Sequence, residues 1–194
     1  MNFREGRNGM IIEEKHIKLR DGRDALLRSP SADDAEEMLG FLKKVSNETD
    51  FLLRGADDPL MPIEDEKKYL EKNRGSENGL MICCFIDDNG TYRLAGSCGL
   101  SFGARKKIRH RVSLGISVLR EFWSLGIGTA LMEEADRAAR EKRALQIELE
   151  FAEGNSRARA LYERCGFRLA GVHPDAFLMP DGTLKNEYLM IKKL

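Results

Sequence analysis

Gly126 and Gly128 stand one residue apart at the head of a segment in which Ile127, Leu131, Ala135 and Ala138 recur at helical spacing. Glycine carries no side chain, so backbone N–H groups there can converge on a ligand. Convergent amides at the positive end of a helix dipole make a site for a diphosphate. Tight packing of a buried strand-to-helix turn is the competing explanation for the same pair, and the spacing leaves both open. Two familiar phosphate loops do not fit. A dinucleotide fingerprint needs a third glycine where Leu131 stands, and a P-loop needs Lys-Ser/Thr where Thr129-Ala130 follow Gly128.

The other residues able to do chemistry have plain explanations on spacing alone. Asn155 or Ser156 caps a short helix whose inner face carries Ala158, Leu161, Tyr162 and Cys165, so Asn155 is a cap and Tyr162 a core aromatic. Arg105, Lys106, Lys107, Arg109 and Arg111 form a basic run that suits a solvated loop or the attraction of an anionic acceptor or ligand phosphate. His110 falls on the apolar face of its strand, as a packed or hydrogen-bonded histidine. Cys83, Cys84, Cys98 and Cys165 show no Cys-x-x-Cys spacing and sit in apolar segments. They are expected as buried reduced thiols, with no metal site among them.

These residues need elements to hold them. Val112, Leu114, Ile116 and Val118 alternate with small residues, the signature of a strand packed on one face, and this strand leads into the glycines. Upstream, strands at 17–20 and 25–28 turn at Asp21-Gly22. Ser31 caps a helix with Ala35, Met38, Leu39, Leu42 and Val45 as its buried stripe. An irregular link over 46–59 precedes a more polar helix, opened by Pro62 and running to about Arg74. Strands at 79–86 and 92–102 turn at Asp87-Asp88-Asn89-Gly90. Downstream of the central helix come a strand at 145–151, the short helix ended by Gly166, and strands at 168–179 and 184–192 around Pro180-Asp181-Gly182-Thr183. One mixed α/β domain over 15–194 accounts for the pattern. Residues 1–14 are polar and patternless and are expected as a mobile tail, with Met1 and Met10 both open as the native start.

Composition narrows the class. Hydrophobic content of 42% and charged content of 33% suit one α/β domain with a sizeable core. Lys+Arg and Asp+Glu are both 32, so no basic excess points to nucleic acid. No apolar run approaches the roughly 20 residues that span a bilayer, and the start lacks a signal peptide's apolar region. A cytoplasmic protein without nucleic-acid or membrane partners is expected, as monomer or homodimer.

The order of elements, together with two separated motifs, resembles the GNAT superfamily of acetyl-CoA-dependent N-acetyltransferases over nearly the whole chain, from about Ile17 onward. The first motif is Val118-Leu119-Arg120-Glu121-Phe122-Trp123-Ser124-Leu125-Gly126-Ile127-Gly128-Thr129-Ala130-Leu131, which looks like the family's pyrophosphate loop and helix. The second is Asn155-x-x-Ala158-x-x-Leu161-Tyr162-x-x-Cys165-Gly166-Phe167. Two positions depart from the family pattern: Trp123 stands where Gln or Arg is usual, and Leu125 where Lys or Arg is frequent.

The resemblance implies an α+β single-domain fold, with a mixed sheet of about seven strands and about four flanking helices. The strand before the loop is expected to splay from its neighbour at a bulge, with the pantetheine arm of acetyl-CoA in the gap. It implies that Ile116, Ser117 and Val118 line that arm, the Val118 N–H acting as oxyanion donor. The cofactor-binding set continues through Trp123, Ser124, Leu125, Gly126, Ile127, Gly128 and Thr129 around the pyrophosphate, then Asn155 and Ala158 beside the pantetheine. Tyr162 offers its phenol to the departing thiolate. The acetyl group passes to a primary amine of a small molecule or protein by direct attack through a tetrahedral intermediate. The central strand carries no carboxylate from Val112 to Leu119. Glu48, in a link that borders the acceptor cleft in relatives, is therefore the candidate base, ahead of Glu150 and Glu121. His173, Asp175, Phe177 and Glu187 of the final hairpin are expected to close the acceptor side. The alternative from another class is a non-catalytic acyl-CoA-binding sensor or regulatory module.

Overall fold

The computed structural model describes residues 9–88 and 90–194. In chain order the elements are β1 (Lys15–Lys18), β2 (Asp24–Arg28), α1 (Ala35–Glu48), α2 (Ile63–Arg74), β3 (Gly79–Asp88), β4 (Thr91–Phe102), β5 (Arg111–Val118), α3 (Ile127–Glu141), β6 (Gln146–Ala152), α4 (Ser156–Arg164), β7 (Arg168–Leu178) and β8 (Leu184–Lys193). Short 3₁₀ turns at Ala32–Asp34 and Arg120–Phe122 lead into α1 and the glycine loop. The eight strands form one sheet in the order β1-β2-β3-β4-β5-β6-β8-β7.

Short turns join β1 to β2, β3 to β4 and β7 to β8, and six of the seven neighbouring pairs are antiparallel. Only β5 and β6 are parallel, because α3 lies between them and carries the chain back to the same edge. Ile127, Leu131, Ala135 and Ala138 are all buried, the stripe that their spacing predicts. Burying Ile127 and Leu131 contributes roughly 1.5–3 kcal/mol each. In α1 the stripe is Ala35, Met38, Phe41 and Val45, so Phe41 takes the central place assigned to Leu39 and Leu42.

The pairing of β5 makes the gap that matters. Against β4 it is continuous, from Phe102↔Val112 to Gly96↔Val118. Against β6 it covers only Arg111↔Gln146, Val112↔Ile147 and Ser113↔Glu148. Beyond Ser113 the two strands part, while β6 stays paired with β8 as far as Ala152↔Glu187. The expected bulge is not on β5: the register shift lies one strand away, where Ala95 of β4 has no partner between Cys84↔Gly96 and Phe85↔Leu94. A clamp closes the base of the divergence. Arg111 donates to both oxygens of buried Glu148, at 2.7 and 2.5 Å, and Gln146 donates to the same carboxylate. Burial opposes the charge on Glu148, but these donors hold its carboxyl below the usual carboxylate range.

Residues 9–14 are not a tail. Met10 and Ile12 are buried in the core, and their N–H groups donate to the Ser76 carbonyl at 3.0 Å and Ser29 Oγ at 3.1 Å. Residues 1–8 of the expected tail, and Asn89 of the β3–β4 turn, lie outside the described residues. Cys83, Cys84 and Cys98 are buried, and burial pushes the first two thiols up to about 12. Among the described residues no helix is long and apolar enough to cross a membrane, and no group of three or more His, Cys, Asp or Glu is set to hold a metal ion.

Candidate active site

The chain leaves β5 at Val118, and the Leu119 N–H donates to the Ala95 carbonyl of β4 at 3.0 Å. Backbone groups alternate in direction along a strand. With Leu119 turned toward β4, Ser117 is turned there too, while Ile116 and Val118 turn their N–H groups toward the gap. Ser117, expected beside them along the pantetheine, therefore spends its backbone groups on the β4 ladder. The Trp123 indole N–H donates to the Val118 carbonyl at 2.8 Å and folds the loop back against the end of β5.

From Ser124 the loop turns tightly. Ser124 and Gly126 both adopt positive φ, 65° and 97°, a conformation that costs an L-residue about 1–2 kcal/mol and glycine almost nothing. Gly126 ends at the N-cap of α3 without a side-chain cap, and no acidic residue lies in the first turn. The first intrahelical bond there runs from the Ala130 N–H to the Gly126 carbonyl, at 3.0 Å. The N–H groups of Ile127, Gly128 and Thr129 thus lack intrahelical acceptors. They stand free at the positive end of a 15-residue helix, the chemistry that an anion site needs. Gly128 also serves packing, since a Cβ there would lie 3.0 Å from Leu161 Cδ2 of α4. Of the two explanations open for the glycine pair, packing is the one seen directly, at Gly128.

Two arginines flank this loop, and sequence reasoning missed them. The Arg20 N–H, from the turn after β1, donates to the Leu125 carbonyl at 3.1 Å, and its guanidinium reaches the Ser124 carbonyl at 3.5 Å. Arg157, in the first turn of α4, donates to Ser124 Oγ at 3.2 Å and lies over the Trp123 ring, 4.7 Å from its centroid. Arg157 sits within the second motif and could have been found there. No local signal links Arg20 to residue 125.

On the other wall of the gap, Asn155 is the N-cap of α4, its Oδ1 accepting from the Ala158 N–H at 3.1 Å. The ring of Tyr162 packs between Phe151 and Phe167, at centroid distances of 5.8 and 6.2 Å. Its hydroxyl makes no hydrogen bond to another described residue. Burial, with a smaller contribution from the nearby Cys98 thiol, pushes the phenol up to about 12. The group is protonated throughout the neutral range.

The residues expected on the acceptor side lie at the end of α1, in the α1–α2 link and in the last hairpin. Glu48, at the end of α1, accepts from the Arg120 N–H at 2.7 Å, and the Arg120 guanidinium donates to the Glu48 carbonyl. Its carboxylate is thereby fixed two residues beyond Val118. Phe51 covers the β6–α4 turn, 3.6 Å from a Cβ built on Gly154, with the Lys185 ammonium 5.7 Å from its ring. His173 is largely exposed and lies 3.8 Å from Glu187, and the Asp175 N–H donates to Asn186 Oδ1. Glu121 is bound by Lys44 and Arg93, and Glu150 is exposed on β6. A separate polar cleft of about 370 Å³ lies at the opposite end of the β1–β2 hairpin from Arg20, where Arg28 and Asp34 pair with each other.

The sheet thus parts beside an uncapped, acid-free helix start. The model of the acetyltransferase (GNAT) family matches residues 49–167. The chain belongs to that family. An acetyltransferase of the GNAT family from Streptococcus pneumoniae superposes with a TM-score of 0.80 at 30% identity, covering 88% of this chain and 99% of that one. The yncA protein of Salmonella typhimurium, solved with its cofactor acetyl-CoA, superposes with a TM-score of 0.70 over 87% of this chain and 92% of its own. At 15% identity this second likeness shows the fold alone. Among curated proteins, "Uncharacterized protein YxbD" of Bacillus subtilis (strain 168) is 34% identical over 82 residues, 36% of this chain and 52% of that protein. The chain thus spans about half the length of the curated relative it matches.

Proposed function

We propose that this protein is an N-acetyltransferase that moves the acetyl group of acetyl-CoA to a primary amine. The observation that carries the proposal is the parting of β5 from β6 after Ser113, directly beside the uncapped start of α3. The gap fits an extended pantetheine arm, and the free N–H groups of Ile127, Gly128 and Thr129 fit a diphosphate. Acetyl-CoA supplies an acyl group on a good thiolate leaving group. The chain's own residues do the rest. Ile116 and Val118 present backbone groups to the arm, and the Val118 N–H polarises the acyl carbonyl and meets the oxyanion that develops on it. Asn155 keeps its side-chain N–H₂ available beside the arm while its oxygen caps α4. Tyr162 holds a proton on a phenol that burial keeps neutral and presents it to the leaving sulfur. Glu48, fixed by Arg120, takes the proton that the ammonium of the acceptor must lose before it can attack.

The test is an amine panel of polyamines, aminoglycosides, amino acids and N-terminal or lysyl peptides, read by release of free thiol, with acetyl-CoA binding measured on the same protein. Thiol release with one amine class, in step with appearance of the acetylated amine, is the expected result. Tight binding without acceptor-dependent thiol release across the panel would instead make this a sensing or regulatory acyl-CoA module.

A further inference from the structure

Two loop positions of this chain, Trp123 and Leu125, carry no charge and offer no cation to a ligand. A CoA ligand brings several negative charges, and backbone amides alone leave that charge largely unbalanced. We infer that Arg20 and Arg157, one from each side of the glycine loop, are the phosphate-binding cations of this protein. The inference rests on the proposed use of acetyl-CoA.

Three observations carry it. Both guanidiniums are bound to one residue of the loop, Arg20 at the Ser124 carbonyl and Arg157 at Ser124 Oγ. Each therefore lies within one side-chain length of the free N–H groups that follow Gly126. Neither is paired with a carboxylate among the described residues, unlike seven of the other arginines, Arg23, Arg28, Arg93, Arg111, Arg137, Arg140 and Arg159. An arginine left without an acid beside an anion site keeps its charge and its remaining donors for the ligand. Finally, Arg20 is anchored by its backbone, through the Leu125 carbonyl at 3.1 Å, as well as by the longer contact of its side chain at 3.5 Å. The β1–β2 turn is thus docked on the loop whatever residue occupies position 20, which frees the side chain for binding. Trp123 completes the arrangement: the Arg157 and Arg120 guanidiniums lie 4.7 and 5.5 Å from its ring centroid. Trp123 thus helps to position Arg157, a cation supplied to the loop from α4.

The experiment is a set of binding titrations of the full chain carrying Arg20→Gln, Arg157→Gln and both. Three ligands are compared: acetyl-CoA, its analogue lacking the 3′-phosphate, and S-acetylpantetheine, which lacks all phosphates beyond the arm and is followed by NMR. Each single change should weaken acetyl-CoA binding roughly tenfold and the double change roughly 10²-fold. S-acetylpantetheine affinity and the thermal midpoint should stay where they are. The 3′-dephospho analogue distinguishes the phosphates: an arginine whose removal no longer matters there binds the 3′-phosphate, and one whose removal still matters binds the diphosphate. Arg20→Lys should recover part of the loss, since it keeps the charge. Equal losses with S-acetylpantetheine, or a lowered thermal midpoint, would show that the arginines only brace Ser124 and would overturn the inference. So would unchanged acetyl-CoA affinity in variants whose parent binds it. A parent that binds none of the three ligands would fail the proposed function itself.

Discussion

Tyr162→Phe removes one oxygen and nothing else. The ring keeps its contacts with Phe151 and Phe167, and the lost hydroxyl had no described partner to strand. Stability should therefore change by less than about 0.5 kcal/mol. Cofactor affinity should barely move, because the bound thioester carries no charge for the phenol to meet. The transition state differs, since sulfur leaves with a growing negative charge. A hydrogen bond to a charged group contributes about 1.5–3 kcal/mol, which sets a floor of roughly 10- to 150-fold on turnover, and positioned acids typically reach 10²–10⁴-fold. A phenol pushed up to about 12 also fixes the pH dependence. At pH 8 only about one molecule in 10⁴ has lost that proton. The parent should then show no loss of activity from Tyr162 ionisation below about pH 11, and the parent-to-variant ratio should be flat from pH 6 to 10. The assay is paired: acetyl-CoA titration and steady-state thiol release on one preparation, with the acceptor found in the panel. Full turnover with Phe at 162, or a ratio that collapses between pH 8 and 10, would refute the role and leave Tyr162 a core aromatic.

Other outcomes follow from the same geometry. Gly128→Val should both destabilise, through contact with Leu161 Cδ2, and weaken acetyl-CoA binding at least tenfold, about 1.4 kcal/mol. Adding Leu161→Ala should relieve the crowding seen in thermal melts but leave the affinity loss, and recovery of both would assign Gly128 to packing alone. Glu48→Gln should slow turnover near neutral pH and regain part of it at higher pH, where free amine is abundant. An overlay of the two pH–rate profiles would remove Glu48 from proton transfer. Asp34 is opposed by burial but held below the usual carboxylate range by Arg28, which donates at 2.7 and 2.6 Å, and by the Ser31 N–H. A depressed pKa contributes stability above the unfolded value of about 3.9 that is lost as pH falls through the folded one. Asp34→Asn should therefore cost about 1–3 kcal/mol at pH 7 in denaturant melts, with the gap to the parent closing below about pH 4. A gap that stays constant with pH would mean that the pair contributes through packing.

The parts of this site that are local in sequence were legible there. The glycine pair, the stripe of α3 and the Asn155–Tyr162 helix each obey a short-range rule, and each lies where that rule puts it. Whatever depends on which strands lie side by side was hidden. Alternation marked β5 as a strand but could not reveal that its ladder with β6 stops at Ser113, nor that the register shift sits at Ala95 of β4. Ser117 looked equivalent to its neighbours until the β4 pairing fixed which way its backbone turns. Met10 and Ile12 lie in a polar segment without periodicity, and they are buried because the segment runs beside Ser29 and Ser76. Arg20 reaches the loop across more than a hundred residues, a contact made by the β1–β2 turn and not by anything in its own sequence.

The three-rung ladder between β5 and β6 has a consequence for the protein before it ever meets an amine. A sheet interrupted in its middle is two half-sheets held by Arg111↔Gln146, Val112↔Ile147, Ser113↔Glu148 and the Arg111–Glu148 clamp. The pantetheine arm proposed for the gap would supply the rungs that the chain omits, and so behave as a ninth strand borrowed from solution. Occupancy and folding are then linked: at a ligand concentration of 100 times Kd the folded state gains about 2.7 kcal/mol. The survival of this protein on heating, or against a protease, becomes a readout of how much cofactor surrounds it.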